Sequence, residues 1–315
     1  MTRTIYAADQ PPSFLAGWTS RLAVFSAVAL LSTLILHRLL SLPTPVALNI
    51  AAGCFAAAAL ALAMGMIAGL DVWVTGRQGA ARIIFGVFVA LALLSIPAAV
   101  SMVSSHWPEV NDITTDFTDP PPYSAAVKAR GPSANPAVYP GAHFAELQQK
   151  FYPDIKALIV PRTPDETFDV VQAALAKLRL PITLAVTPSA EDGSPGYIET
   201  TDTTMLLGLT DDVVIRVQED EAGSSIDLRS SSRYGRNDFG RNAERLRLIL
   251  KEIVGRLEAT LARPDETKKP ARQDQKKPVK RQKGRDQGEA AARKKSDPSR
   301  SDVRRAQQRR ALPQE

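Results

Sequence analysis

Three apolar stretches, Leu22 to Leu40, Val46 to Leu70 and Ile83 to Val103, fill most of the first third of this 315-residue chain. A helix needs about 20 apolar residues to cross a bilayer core, and in lipid the backbone can satisfy its polar groups only within a helix or a closed barrel. The second and third stretches hold no ionised side chain. Residues 1–104 are therefore expected to form a three-helix transmembrane region embedded in membrane lipid. His37 and Arg38 interrupt the first stretch only near its end, where a long cation can reach the interface. A cleaved signal peptide is the competing reading there, but the run is too long and no small-x-small site precedes Pro43. Pro97 is expected to kink the third helix. Ala61, Gly65 and Gly69 repeat at a small-xxx-small spacing that lets helices approach closely, either inside the three-helix hairpin or across a dimer interface.

The cations beside these stretches are unevenly distributed. Arg3 and Arg21 lie at the start of the first, and Arg77 and Arg82 lie between the second and third. The other side has only Arg38, and after Val103 the next cation is Lys128. The positive-inside rule then puts the N-terminus in the cytoplasm and everything after the third helix outside. For a bacterial inner membrane, that outside is the periplasm.

Bulk composition conceals a basic tail. From Pro264 to Glu315 there are 17 Lys and Arg against 8 Asp and Glu, although the whole chain is only +6. What precedes the tail is therefore net acidic. Residues 263–315 lack the apolar side chains needed for a core and are expected to be disordered. Such a tail suits anionic lipid head groups or other envelope polyanions; nucleic acid becomes its partner only if the tail is cytoplasmic. A solubilising tail without a partner is the plainer reading. The single cysteine, Cys54, sits in an apolar run, so no disulfide or thiolate metal site is available.

Residues 105–141 are rich in Pro, Asp, Thr and Ser, including the run Pro120-Pro121-Pro122, and are expected to form an extended linker. Its run Asn111-Asp112-Ile113-Thr114-Thr115-Asp116 gathers short side-chain oxygens that suit either turns or a ligand contact. Residues 142–262 have a globular pattern. A strand over 156–160 is followed by the capping box Thr163-Pro164-Asp165-Glu166, and Phe168, Val171, Leu175 and Leu178 fall on one helical face. Alternation at Ile182-Leu184-Val186, around Ile198, at Val213-Ile215-Val217 and at Ile226-Leu228 predicts half-buried strands. From about Asp238 to Leu261, Phe239, Ala243, Leu246, Leu250, Ile253 and Leu257 mark a long amphipathic helix. The order β-α-β-β-β-β-α predicts an α+β domain, a curved antiparallel sheet gripping its C-terminal helix.

One hairpin can be read in register. A turn within Glu219 to Ser224 sets Ile215 against Leu228, Val217 against Ile226, and Arg216 against Asp227 on the other face. The same register brings Asp211 and Asp212 beside Ser232 and Ser231. Arg233, Tyr234, Gly235, Arg236, Asn237 and Asp238 follow, with Asn237 or Asp238 placed to cap the last helix and Asn242 and Arg245 one and two turns on.

The segments Tyr152-Pro153-Asp154-Ile155, Thr210 to Val217 and Ile226 to Arg245, the last containing DLRSSSRYGRNDFGRNA, resemble the bacterial family of domain of unknown function 1499. The run NDITTD followed by Asp119-Pro120-Pro121 resembles the segment that precedes the domain in membrane-anchored members. The resemblance covers roughly residues 107 to 255. It implies an envelope protein of Gram-negative type and brings no activity with it.

Three roles fit the polar rim. As an anion site it would use Arg233, Arg236, Arg245, Asn242, Ser231 and Ser232, since arginine forks and a helix N-terminus suit phosphate or carboxylate. As a structural network, its charges would lock the strand ends to the helix. As a hydrolase-like centre it would use Asp211 and Asp212, with Asp238 nearby, but adjacent strand residues face opposite ways unless they lie in a turn. The histidines, His37, His106 and His143, are not tied by sequence to the serines, so no catalytic residue is assigned. No cofactor or metal is called for. The expected role is a membrane-anchored, extracytoplasmic binding or assembly module.

Overall fold

A computed structural model describes residues 11–205 and 207–261. The basic tail expected over 263–315 lies outside them. Three helices open the chain, α1 (Phe14–Leu39), α2 (Thr44–Thr75) and α3 (Ala80–Ser104), each long and apolar enough to cross a membrane. Their outward surfaces carry Phe25, Leu31, Ile67, Ile84 and Phe88, all exposed, as lipid-facing side chains must be. The interior is made mostly of small residues. Ala16, Ala68 and Ile83 form one buried cluster, and Ala23, Ala61 and Ala90 another. α3 continues through Pro97.

Close approach explains part of the small-residue stripe. A Cβ on Gly65 would stand 2.6 Å from Val87 Cγ2, whereas one on Gly69 would meet nothing within 4 Å. Gly86 has less room to adjust, because its Cβ would lie 2.8 Å from the backbone nitrogen of Ser20 on α1, which cannot swing aside as a side chain can. Gly86→Ala is therefore expected to push α1 and α3 apart at a cost of about 1–3 kcal/mol. Gly69→Ala should be neutral or stabilising by up to about 1 kcal/mol through helix propensity. Thermal melting of the detergent-solubilised chain checks the contrast; equal midpoints would mean that the helices are not packed this closely.

The soluble part is built on one antiparallel sheet. A meander of β3 (Ile182–Val186), β4 (Gly196–Thr203), β5 (Thr210–Asp220) and β6 (Gly223–Ser232) makes its body. The outer edge of β6 pairs with two short strands, β1 (Asp112–Thr114) near one end and β2 (Leu158–Val160) near the other. The expected register holds residue for residue: Ile215 opposes Leu228, Arg216 opposes Asp227 and Asp212 opposes Ser231. At the hairpin turn, Gly223 has φ +136° and a Cβ there would sit 2.5 Å from the Val160 carbonyl. Glycine is what allows β2 to pair so close to the turn.

α6 (Pro164–Lys177) and α7 (Arg241–Leu261) cover one face of the sheet. Thr163 caps α6, its side chain accepting from Glu166 N at 3.4 Å. Phe168, Val171 and Leu175 meet Val213, Ile215, Val217, Ile226 and Leu228, with Ala243, Leu246, Ile249 and Ile253 of α7, in a single buried core. α7 starts at Arg241, three residues later than expected, because Phe239 has φ +55° and lies outside the helix.

The expectation of an extended linker over 105–141 is corrected. This segment contributes β1 and α4 (Ala125–Ala129) and packs on the second face of the sheet; α5 (Ala142–Phe151) follows it. Tyr123 and Ala126 form a small buried cluster with Val214. The prolines prevent regular structure over most of its length but not burial, because side chains of the sheet satisfy its backbone.

Candidate functional site

Alternation along β5 and β6 divides the polar residues between the two faces. Towards the helices point Asp211, Ser230 and Ser232. There Arg245 of α7 donates to Asp211 (2.6 Å) and to Asp202 of β4 (2.9 Å), and through Nη1 to Ser230 Oγ (3.0 Å) and Asn242 Oδ1 (2.7 Å). Asn242 Nδ2 donates to Ser232 Oγ at 3.0 Å and to the Asn111 carbonyl at 3.1 Å. Asp238 caps α7, accepting from Gly240 N (2.8 Å) and Asn242 N (2.9 Å). Burial pushes its carboxyl above the usual carboxylate range, against the pull of those two amides.

On the other face stand Asp212, Arg216, Asp227, Arg229 and Ser231, beneath residues 112–140. Asp212 is fully buried and accepts from Arg130 Nε at 2.8 Å and Arg233 Nη2 at 2.7 Å. The hydrogen bonds to Asp212 raise Arg233 above the ordinary arginine value. Arg229 grips Asp112 with both prongs, Nε at 2.9 Å and Nη2 at 2.7 Å, and donates to the carbonyls of Pro121 and Ala137. Its guanidinium also lies over the rings of Tyr123, 4.7 Å away, and Tyr139, 5.5 Å away. Arg216 binds Asp227 at 3.2 Å, as the register predicts, and also Asp116 and Asp119 of the covering segment. Glu199 of β4 accepts from the backbone amides of Ser124, Ala125 and Ala126 at the start of α4.

The oxygen-rich run forms the expected turn and also makes ion pairs within the chain that neither reading assigned. Asp116 Oδ1 accepts from Thr118 N and Asp119 N, a local turn, while Asp112 and Asp116 reach arginines on the sheet. Asp211 and Asp212 both lie in β5, so they point to opposite faces, as strand alternation requires, and serve as separate counter-ions to different arginines. Of the proposed anion-site arginines, Arg233 and Arg245 are taken up by aspartates, and Arg236 is exposed with no ion pair among the described residues. Among the described residues no group of three His, Cys, Asp or Glu stands together as a metal site.

A cleft of about 400 Å³ opens where this covering segment meets the end of β6. Arg130, Asn135 and Ser231 form its polar wall, and Val138, Pro140 and Phe144 an apolar one. Tyr139 lines it too, and its hydroxyl is buried without a hydrogen-bond partner. Burial, then the neighbouring Asp112 charge, pushes this phenol up to about 12, so it keeps its proton. Arg130 is fully engaged: Nη1 donates to the Asn135 and Pro136 carbonyls and Nη2 to Ser231. Sequence reasoning missed Arg130, Asn135 and Tyr139 because nothing local marks a proline-rich segment as half of a site.

Residues 112–253 match the model of a family described as protein of unknown function, DUF1499. The domain is DUF1499-like. The matched stretch begins at Asp112, the residue gripped by Arg229, so the similarity includes the covering segment as well as the sheet and helices. No curated protein and no solved structure matches the chain. The DUF1499-like domain follows three apolar helices, and the chain is a membrane-anchored module.

Proposed function

We propose that this chain is an extracytoplasmic binding module of the bacterial cell envelope, held in the inner membrane by α1–α3, with its ligand seat in the cleft beside Tyr139. The observation that carries the reading is the cleft itself, with one polar and one apolar wall and, in Tyr139, a lining residue whose buried hydroxyl has no hydrogen-bond partner. Such a combination suits a ligand that offers an acceptor and apolar surface. Anions are poorly served, because Arg130, Arg233 and Arg245 already face carboxylates or carbonyls. A hydrolytic role for Asp211 and Asp212 is disfavoured for the same reason: each is neutralised, and on opposite faces.

The extracytoplasmic side follows from the cation asymmetry. An isolated bridge between Pro12 and Gln78 and a hydrogen bond from Ser13 to Asp71 group the start of α1 with the α2–α3 loop, beside Arg77 and Arg82. The soluble domain follows α3 at the other end. Alkaline phosphatase fused after Leu261 should be active, and green fluorescent protein at the same position should stay dark. Bright fluorescence with an inactive phosphatase would overturn the assignment and leave nucleic acid as the partner for the basic tail.

A further inference from the structure

The sheet end nearest the membrane helices carries exposed apolar side chains. The β4–β5 loop reads Thr204-Met205-Leu206-Leu207-Gly208-Leu209, and Met205 is 88% exposed and Leu207 48%. The loop is braced: Thr204 N donates to the Leu209 carbonyl, Gly208 N to the Thr204 carbonyl and Leu209 N to Thr204 Oγ1. At the same rim Trp107 is 40% exposed and Phe239 37%. Phe239 holds a left-handed backbone, φ +55°, that bulky residues avoid, and Asn237 Oδ1 fixes it by accepting from its amide at 2.6 Å.

This rim adjoins the ends of α1 and α3. A Cβ on Gly208 would lie 3.5 Å from Arg38 Cδ and 3.7 Å from His37 Nε2, in the last turn of α1. Asn237 Nδ2 donates to the carbonyls of Ser104, the last residue of α3, and of Trp107. The Trp107 ring covers Gly240, where a Cβ would meet it at 2.5 Å. Where these helices leave the hydrocarbon, Trp and cations are at home in the interfacial layer.

We propose that the membrane-side rim of the domain is a lipid-contact surface: Met205 and Leu207 dip into the interfacial layer of the bilayer that α1–α3 span, with Trp107 and Phe239 beside them and Arg38 at head-group level. The occupant is the bilayer rather than another protein because the loop tip is continuous with the helix ends. An apolar loop held there beside Arg38 has head groups as its nearest neighbours. The contact is independent of which side of the membrane the domain occupies and of what the Tyr139 cleft binds.

The test uses the full chain in nanodiscs of phosphatidylethanolamine and phosphatidylglycerol, with Cys54→Ala as background. An environment-sensitive fluorophore is attached through Met205→Cys, through Phe239→Cys as a second rim position, or through Ala222→Cys at the opposite end of the sheet. Both rim labels should emit at shorter wavelength than the Ala222 label. They should lose most of their emission to lipids carrying a nitroxide near the head group, and little to aqueous iodide. The Ala222 label should behave in the opposite way. Rim labels quenched by iodide as strongly as the Ala222 label would overturn the proposal. So would rim labels shielded from both quenchers, which would indicate a protein partner or a second copy.

Discussion

Asp212→Ala is expected to cost about 3–5 kcal/mol, enough to unfold a domain of ordinary stability, because it leaves two guanidinium groups facing a buried gap. Asp212 has no exposed surface and is the carboxylate partner of both Arg130 and Arg233. Without it Arg130 retains only carbonyl and hydroxyl acceptors, and the covering segment loses its anchor at the cleft. Asp212→Asn keeps the volume and one acceptor but not the charge, so it should recover little of the loss. Arg236→Ala is the control: an exposed side chain without an ion pair among the described residues should change stability by no more than about 0.5 kcal/mol. Thermal melting of the full chain, followed by near-ultraviolet circular dichroism, compares them. Equal losses for Asp212→Ala and Arg236→Ala would mean that the rim charges do not brace the fold.

Arg229→Met is expected to be nearly as damaging, through a different route. It removes the two-pronged hold on Asp112, leaves that carboxylate buried and unpaired, and strands the carbonyls of Pro121 and Ala137. The loss should again be several kcal/mol, of the order of 3–5 for a broken buried pair. Arg229→Lys should rescue only a fraction, because an ammonium cannot present the planar fork that spans Asp112 and two carbonyls at once. A double substitution, Asp112→Asn with Arg229→Met, should cost less than the two single losses added together. Additive losses would contradict a direct pairing. Both experiments predict release of residues 112–140 before the sheet itself melts, detectable as early cleavage by a protease near Lys128 or Arg130.

What could be read from the sequence shares a physical basis: patterns whose period is set by one element. The apolar runs of α1–α3, the Thr163 cap and the apolar stripe of α7 are local. The β5–β6 register is nearly so, since a short turn and two apolar faces fix it. The second layer was not legible. On a one-sided sheet a polar face is ordinarily the solvent face, and Arg216 opposite Asp227 looks like a surface pair. Here the cover is itself polar and proline-rich, so it lacks the apolar stripe that would announce a packed layer, and its pairing depends on matches over a hundred residues apart, such as Asp112 with Arg229. The polar rim was found by geometry, but its residues divide between the two faces of the sheet, Asp211 with Arg245 on one and Asp212 with Arg233 on the other. Their partner Arg130 lies in a segment that carried no signal of its own. Phe239 shows the opposite failure, an apolar residue at helical spacing that the Asn237-Asp238 turn holds outside the helix.

The second layer underlies both the charge network and the Tyr139 cleft, so amide hydrogen exchange over residues 112–140 of the wild-type protein is the most direct test. The amides of Thr114, bonded to Gln148 Oε1, of Thr115, bonded to the Leu228 carbonyl, and of Ala126, bonded to Glu199, should exchange as slowly as those of β5 and β6. Exchange of this whole segment at the rate of an unprotected chain, with β5 and β6 still protected, would contradict the account.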